Sequence, residues 1–117
     1  MFNFEKLDVW QKAITFADLI YSQTREFPNE ERFGLTNQLR RAAVSLSNIA
    51  EGSSRMSQTD FARFVEIAAG SVFEVTSQVF VPRKQSLITD GQFETIYQRA
   101  EELSSMLSGL RKSLFPH

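Results

Sequence analysis

Apolar residues recur along this chain at alternating steps of three and four, in four blocks separated by three short breaks. That spacing stacks the apolar side chains of a block on one face of a helix, whereas a strand would need every second residue. The first block runs Leu7, Trp10, Ile14, Ala17, Tyr21 and Thr24, beside a second stripe of Val9, Ala13, Phe16, Ile20 and Phe27. The second carries Leu35, Leu39, Ala42, Leu46 and Ile49; the third carries Phe61, Val65, Ala68, Val72, Val75 and Val79. The fourth keeps the spacing from Phe93 through Ile96, Ala100, Leu103, Leu107 and Leu110 to Leu114. No segment alternates apolar and polar residues over a useful length. Four amphipathic helices on short connections must pack on one another. They predict an all-α, antiparallel up-down four-helix bundle, with residues 1–117 as a single domain.

The breaks have their own chemistry. In Phe27-Pro28-Asn29-Glu30-Glu31, Pro28 ends the first helix. Gly52-Ser53-Ser54 reads as a glycine stop for the second. Ser57 with Asp60, and Thr89 with Gln92, read as N-terminal caps of the third and fourth. Two features fall inside the third helix. Pro82 predicts a kink or break, which would cost about 3 kcal/mol in a regular interior. Gly70-Ser71 follows Ala68-Ala69, and a mid-helix glycine costs about 1 kcal/mol against alanine, so a close backbone approach is expected there. Trp10, in line with Leu7 and Ile14, is expected in the core.

Composition excludes several classes. The 117 residues include no cysteine, so thiolate nucleophiles, thiolate metal sites and disulfides are ruled out. The one histidine is His117, which leaves no Ser-His pair or histidine ligand set. The glycines are scattered and form no phosphate loop. Neither an enzyme, a metal site nor a cofactor is expected; a hydrolase built on Glu51 and Glu66 is the weakest reading. The segment Met1-Phe2-Asn3-Phe4-Glu5 lacks a basic stretch followed by an apolar run, so no signal peptide is expected. No uncharged apolar run approaches the ~20 residues of a membrane span. A cytoplasmic location is the expectation.

Charge is uneven. Residues 32–63 hold five basic and two acidic side chains, against three and six in residues 1–31. Arg40, Arg41 and Arg55 of this positive third are the candidate nucleic-acid contacts, with Arg32 and Arg63 nearby, because the planar guanidinium matches phosphate with two parallel hydrogen bonds. A solvated face, or ion pairs with Glu51 and neighbouring helices, fits the same arginines. Asn48 and Glu51, with Ser45 and Ser47, break an otherwise apolar side. They are read as organising polar groups that set helix register or subunit pairing, with a ligand or RNA site as the sharper alternative. Eleven phenylalanines are more than a small bundle readily hides. Phe16, Phe64, Phe73 and Phe80 are therefore expected at an oligomer interface, unless a wide core takes them in.

The run Phe4-Glu5-Lys6-Leu7-Asp8-Val9-Trp10-Gln11-Lys12-Ala13, then Phe27-Pro28, then Glu31-Arg32-Phe33-Gly34-Leu35, resembles the ribosomal-RNA intervening-sequence protein family, also labelled four-helix bundle protein. The likeness continues through Gln38-Leu39-Arg40-Arg41-Ala42-Ala43-Val44-Ser45 and Asn48-Ile49-Ala50-Glu51-Gly52, and closes with Phe61, Phe64, Ile67-Ala68, Gly70-Ser71 and Glu74. The resemblance implies a four-helix bundle assembling into a homopentamer, with no established activity for most members. A similar family, the accessory variability determinant of diversity-generating retroelements, acts with a reverse transcriptase and binds nucleic acid through a basic surface. RNA or a reverse transcriptase is thus the implied partner, and a pure self-assembly or protein-interaction module the alternative. The resemblance implies that many members carry one more residue between Ser45 and Asn48, often with a proline. In a regular helix a one-residue difference turns everything after it by about 100°.

Overall fold

The computed structural model describes residues 1–115, and the single histidine, His117, lies outside the described residues. Its helices make four rods: α1 (Asp8–Thr24), α2 (Leu35–Val44) continued by α3 (Asn48–Ser53), α4 (Gln58–Gln78) continued by α5 (Phe80–Lys84), and α6 (Asp90–Leu114). Short 3₁₀ turns cover Asn3–Lys6, Asn29–Glu31 and Ser45–Ser47, and the described residues contain no strand. The α1 rod packs on α2 and on α6, while α4 packs on α2, α3 and α6. Those contacts close an antiparallel four-helix bundle of 45 × 23 × 22 Å.

Local sequence explains where the rods begin. The Ser57 hydroxyl accepts the Asp60 amide at 2.9 Å and so caps α4. At α6 the cap is reciprocal: Thr89 Oγ1 accepts from Gln92 N at 3.0 Å, and Gln92 Oε1 accepts from Thr89 N at 2.8 Å. Each bond satisfies a donor that the first helical turn would otherwise leave unpaired. Gly52 is a correction. No glycine among the described residues has a positive φ, and α3 continues past Gly52 to Ser53. Gly52 is buried against Phe61 and Phe64 of α4, so the glycine admits a neighbour and does not stop the helix.

The second rod changes pitch in its middle. Over Ser45–Ser47 it tightens to a 3₁₀ turn, in which each residue advances about 120° and not 100°. Three such residues advance the rod by about 60° more than an α-helix would. Ala43, Leu46, Ile49 and Gly52 then stay buried on one line at strict steps of three, the spacing a 3₁₀ segment eclipses.

Pro82 breaks the third rod as expected. It has no N–H for the Gln78 carbonyl, and the chain leaves α geometry at Val79 before resuming as α5. The α5 segment ends in a Schellman arrangement. Ser86 takes the left-handed conformation, φ 59°, while Leu87 N donates to Pro82 O at 2.8 Å and Ser86 N to Arg83 O at 3.1 Å.

On α1 the second stripe, and not the first, faces inward. Val9, Ala13, Phe16, Ile20 and Phe27 are buried; of the first stripe only Thr24 is, whereas Leu7, Trp10 and Ala17 pack on the core from its margin and Ile14 and Tyr21 are exposed. Trp10 is accordingly not a core residue; it stands edge-on to Phe4 with centroids 4.9 Å apart. On length and composition alone the stretch Gln58–Lys84 could pass for a membrane span. It nevertheless lays Ala68, Val72 and Val75 into the bundle core, and Glu66 on it forms an ion pair with Arg111 of α6 at 2.6 Å.

Candidate functional site

Arg40 and Arg41 point apart, as successive helical residues must at about 100° per step. Arg40 turns toward α1. Its Nε donates to Thr24 Oγ1 at 2.9 Å, its Nη2 to the Tyr21 carbonyl at 3.3 Å, and its guanidinium lies 4.6 Å from the Tyr21 ring centroid. Thr24 is buried and donates in turn to the Ile20 carbonyl at 2.8 Å. Arg40 therefore ties α2 to the last turn of α1, where orphan carbonyls and the helix dipole favour a cation. Arg41 is exposed, and among the described residues it forms no salt bridge. It stands between two polar depressions. One, of about 650 Å³, is bordered by Asn37, Ser47 and Asn48; the other, of about 570 Å³, by Gln38 and Glu74.

The polar set at the end of the second rod separates into two. Asn48 Nδ2 donates to the Ser45 carbonyl at 2.7 Å and reaches Ser45 Oγ at 3.3 Å. Ser71 Oγ lies 2.8 Å from Ser45 Oγ and 3.1 Å from the Ile67 carbonyl, with one proton to share between them. A polar thread thus runs from the 3₁₀ turn into buried Ser71 of α4. Glu51 is not part of it. This carboxylate is exposed and pairs with Arg55 Nη2 at 2.7 Å, four residues on, while the Arg55 guanidinium lies 5.1 Å from the Phe64 centroid. Such an exposed pair contributes only about 0.3–0.5 kcal/mol, so another anion can displace it. Glu66 pairs separately with Arg111. Among the described residues no group of three or more His, Asp or Glu side chains is placed to hold a metal ion.

The aromatic residues divide as well. Of the eleven phenylalanines only Phe16, Phe27 and Phe93 are buried. Phe16 is 2 % exposed, which corrects its assignment to an oligomer interface: its ring fills the middle of the protomer's own core, because α1 turns that stripe inward. Phe64 is half-buried beneath Arg55. Phe73 is 65 % exposed, and Phe80 is 43 % exposed although its edge meets Phe93 at 4.9 Å. With Ile67 and Val81, also exposed, they mark an outer apolar arc along α4 and α5, interrupted by exposed Glu74 and Ser77. Gly70 lies on that arc, and a Cβ there would meet nothing within 4 Å. The close approach expected at Gly70 does not occur within the protomer; only Ser71 faces inward.

Sequence reasoning missed the Ser45–Ser71 contact, which joins residues 26 apart. Its one signal was a serine inside each apolar run. It also missed the role of Thr24, read as one more stripe position.

Residues 5–109 match the model of a family described as 23S rRNA-intervening sequence protein. The fold is similar to the crystal structure of a protein of unknown function from the S23 ribosomal protein family of Bacteroides thetaiotaomicron. That likeness has a TM-score of 0.82 at 26% identity and covers 89% of this chain and 98% of the other. No curated protein matches the sequence.

Proposed function

Since the chain belongs to the 23S rRNA-intervening sequence protein family, we propose that it works as a non-enzymatic scaffold that assembles with copies of itself, five on the family pattern. One observation carries this reading. The third rod is long and apolar enough by composition to pass for a membrane span, yet it leaves large apolar side chains uncovered on its outer side. Exposed Ile67, Phe73, Phe80 and Val81 lie along it, and Phe73 borders a groove of about 390 Å³ between α4 and α6 beside Tyr97 and Ala100. A lone protomer rarely leaves such a face in water, and open Gly70 lets a second backbone come near. Light scattering on the purified protein should give a mass several times the 13.4 kDa of one chain. Phe73→Glu should reduce it to one chain with helicity unchanged. A single-chain mass for the unaltered protein at tens of micromolar would remove the proposal.

A second reading, that the assembly serves RNA or a reverse transcriptase as an accessory, is supported by Arg41. Its guanidinium is exposed beside Asn37, Ser47 and Asn48, in the basic third of the chain. Arg55 adds to it only if its Glu51 pair opens, and Arg40 is committed to α1. Structured RNA titrated at two salt concentrations tests this, because phosphate contacts weaken steeply with salt. Arg41→Ala should lower the affinity and the salt slope; absence of binding at low salt leaves the self-assembly module alone.

A further inference from the structure

The geometry points to a binding cleft for a terminal phosphate group at the corner where α1 ends and α2 begins. The concavity there has a volume of about 310 Å³, and its rim includes Arg25, Arg32, Arg40, Thr24, Asn29 and Thr36, with no acidic residue among the lining. The three arginines form no salt bridge among the described residues. Arg40 spends its Nε on Thr24 and one Nη2 proton on the Tyr21 carbonyl, which leaves three of its five N–H donors. Arg25 and Arg32 are exposed and can swing in from the two sides.

Two further observations call for an anion. The ten-residue helix α2 starts at this corner with no side-chain cap, so the first-turn amides at Leu35, Thr36 and Asn37 keep their donors; the Glu31 carboxylate lies nearby, its Oε2 3.8 Å from where a Cβ on Gly34 would stand. Thr36, in that first turn, is only 8 % exposed, and its hydroxyl has no hydrogen-bond partner. A buried hydroxyl without a partner is costly; rotation of the Thr36 side chain toward the hollow it borders would offer its proton to a phosphate oxygen. Three cationic side chains on the rim of one hollow match a dianionic monoester better than one link of a diester strand, which would need charges spaced along a track. The cleft stands whether or not the chain assembles, since none of its residues belongs to the apolar arc of α4.

The test uses the full chain at low salt, followed by amide shifts in two-dimensional NMR. The probes are inorganic phosphate, adenosine 5′-monophosphate, and one short oligoribonucleotide carrying either a 5′-phosphate or a 5′-hydroxyl. Shifts at Leu35, Thr36 and Asn37 are expected with every phosphorylated probe. Arg25→Ala and Arg32→Ala should each weaken binding about tenfold. Thr36→Val should weaken it severalfold while leaving the melting temperature unchanged or higher, since it removes an unpaired hydroxyl. A 5′-phosphorylated oligonucleotide binding well above the monophosphate identifies an RNA end as the source. Equal binding identifies a free phosphate compound, and both results uphold the cleft. Silence of these amides at millimolar phosphate, indifference to both arginine substitutions, or equal binding of the two oligonucleotides with no response to the monophosphate would each overturn it.

Discussion

Gly52 and Phe64 are in backbone-limited contact: a Cβ built on Gly52 would stand 2.6 Å from the Cβ of Phe64 and 3.1 Å from Cδ1 of Phe61. Because the nearest atom is Cβ, no rotamer change can relieve the overlap, and α3 would have to move off α4. Gly52→Ala gains helix propensity worth about 1 kcal/mol and meets an overpacking penalty of about 1–3 kcal/mol. A backbone shift adds to that penalty. The expected net result is destabilisation, measured as a lower midpoint in urea with an unchanged slope.

Gly109 supplies the contrast. It lies in α6, exposed, and a Cβ there would meet nothing within 4 Å. Gly109→Ala should therefore raise stability by about 0.5–1 kcal/mol, read in the same urea titration. An equal response from both substitutions would show that the α3–α4 contact is not what requires glycine at position 52.

Ser86 holds the left-handed position of the Schellman turn that closes α5. An L-residue with a Cβ is disfavoured there, and glycine is the usual occupant. Ser86→Gly should stabilise the protein by about 0.5–1 kcal/mol, a rise of a few degrees in melting temperature for a chain of this size. Ser86→Ala should give no such gain.

Arg40 and Arg41 should separate in a stability assay as they do in space. Arg40→Ala removes the bond to Thr24 and the stacking on Tyr21, and should cost about 1–2 kcal/mol. Arg40→Lys should recover little, since the Nε donor and the planar face are both lost. Arg41→Ala, on the exposed side, should stay within about 0.5 kcal/mol of the parent.

Much of this architecture was legible because it rests on short-range chemistry. The helical blocks follow from the spacing of their apolar residues, and the caps at Ser57 and Thr89 join groups three residues apart. The break before Pro82 follows from a missing N–H. The Glu51–Arg55 pair spans one helical turn and stood open among the sequence alternatives. What periodicity could not supply was direction. It assigned α1 two stripes without saying which one turns inward, so Phe16 was placed outside when it lies in the core. The same limit applies to glycine. Gly52 and Gly70 look equally unhelpful to a helix, yet one is pressed against Phe64 and the other is open.

The amino-acid order by itself therefore determined the number of rods and most of their ends, because each depends on neighbours within about one helical turn. Only the packed bundle decided that Arg40 serves α1 while Arg41 faces out, that Ser45 meets Ser71 across 26 residues, and that three arginines share a hollow with an unpartnered threonine. Those facts depend on the rotation of each rod about its own axis. That rotation is chosen by contact with the other rods, and no local pattern encodes it.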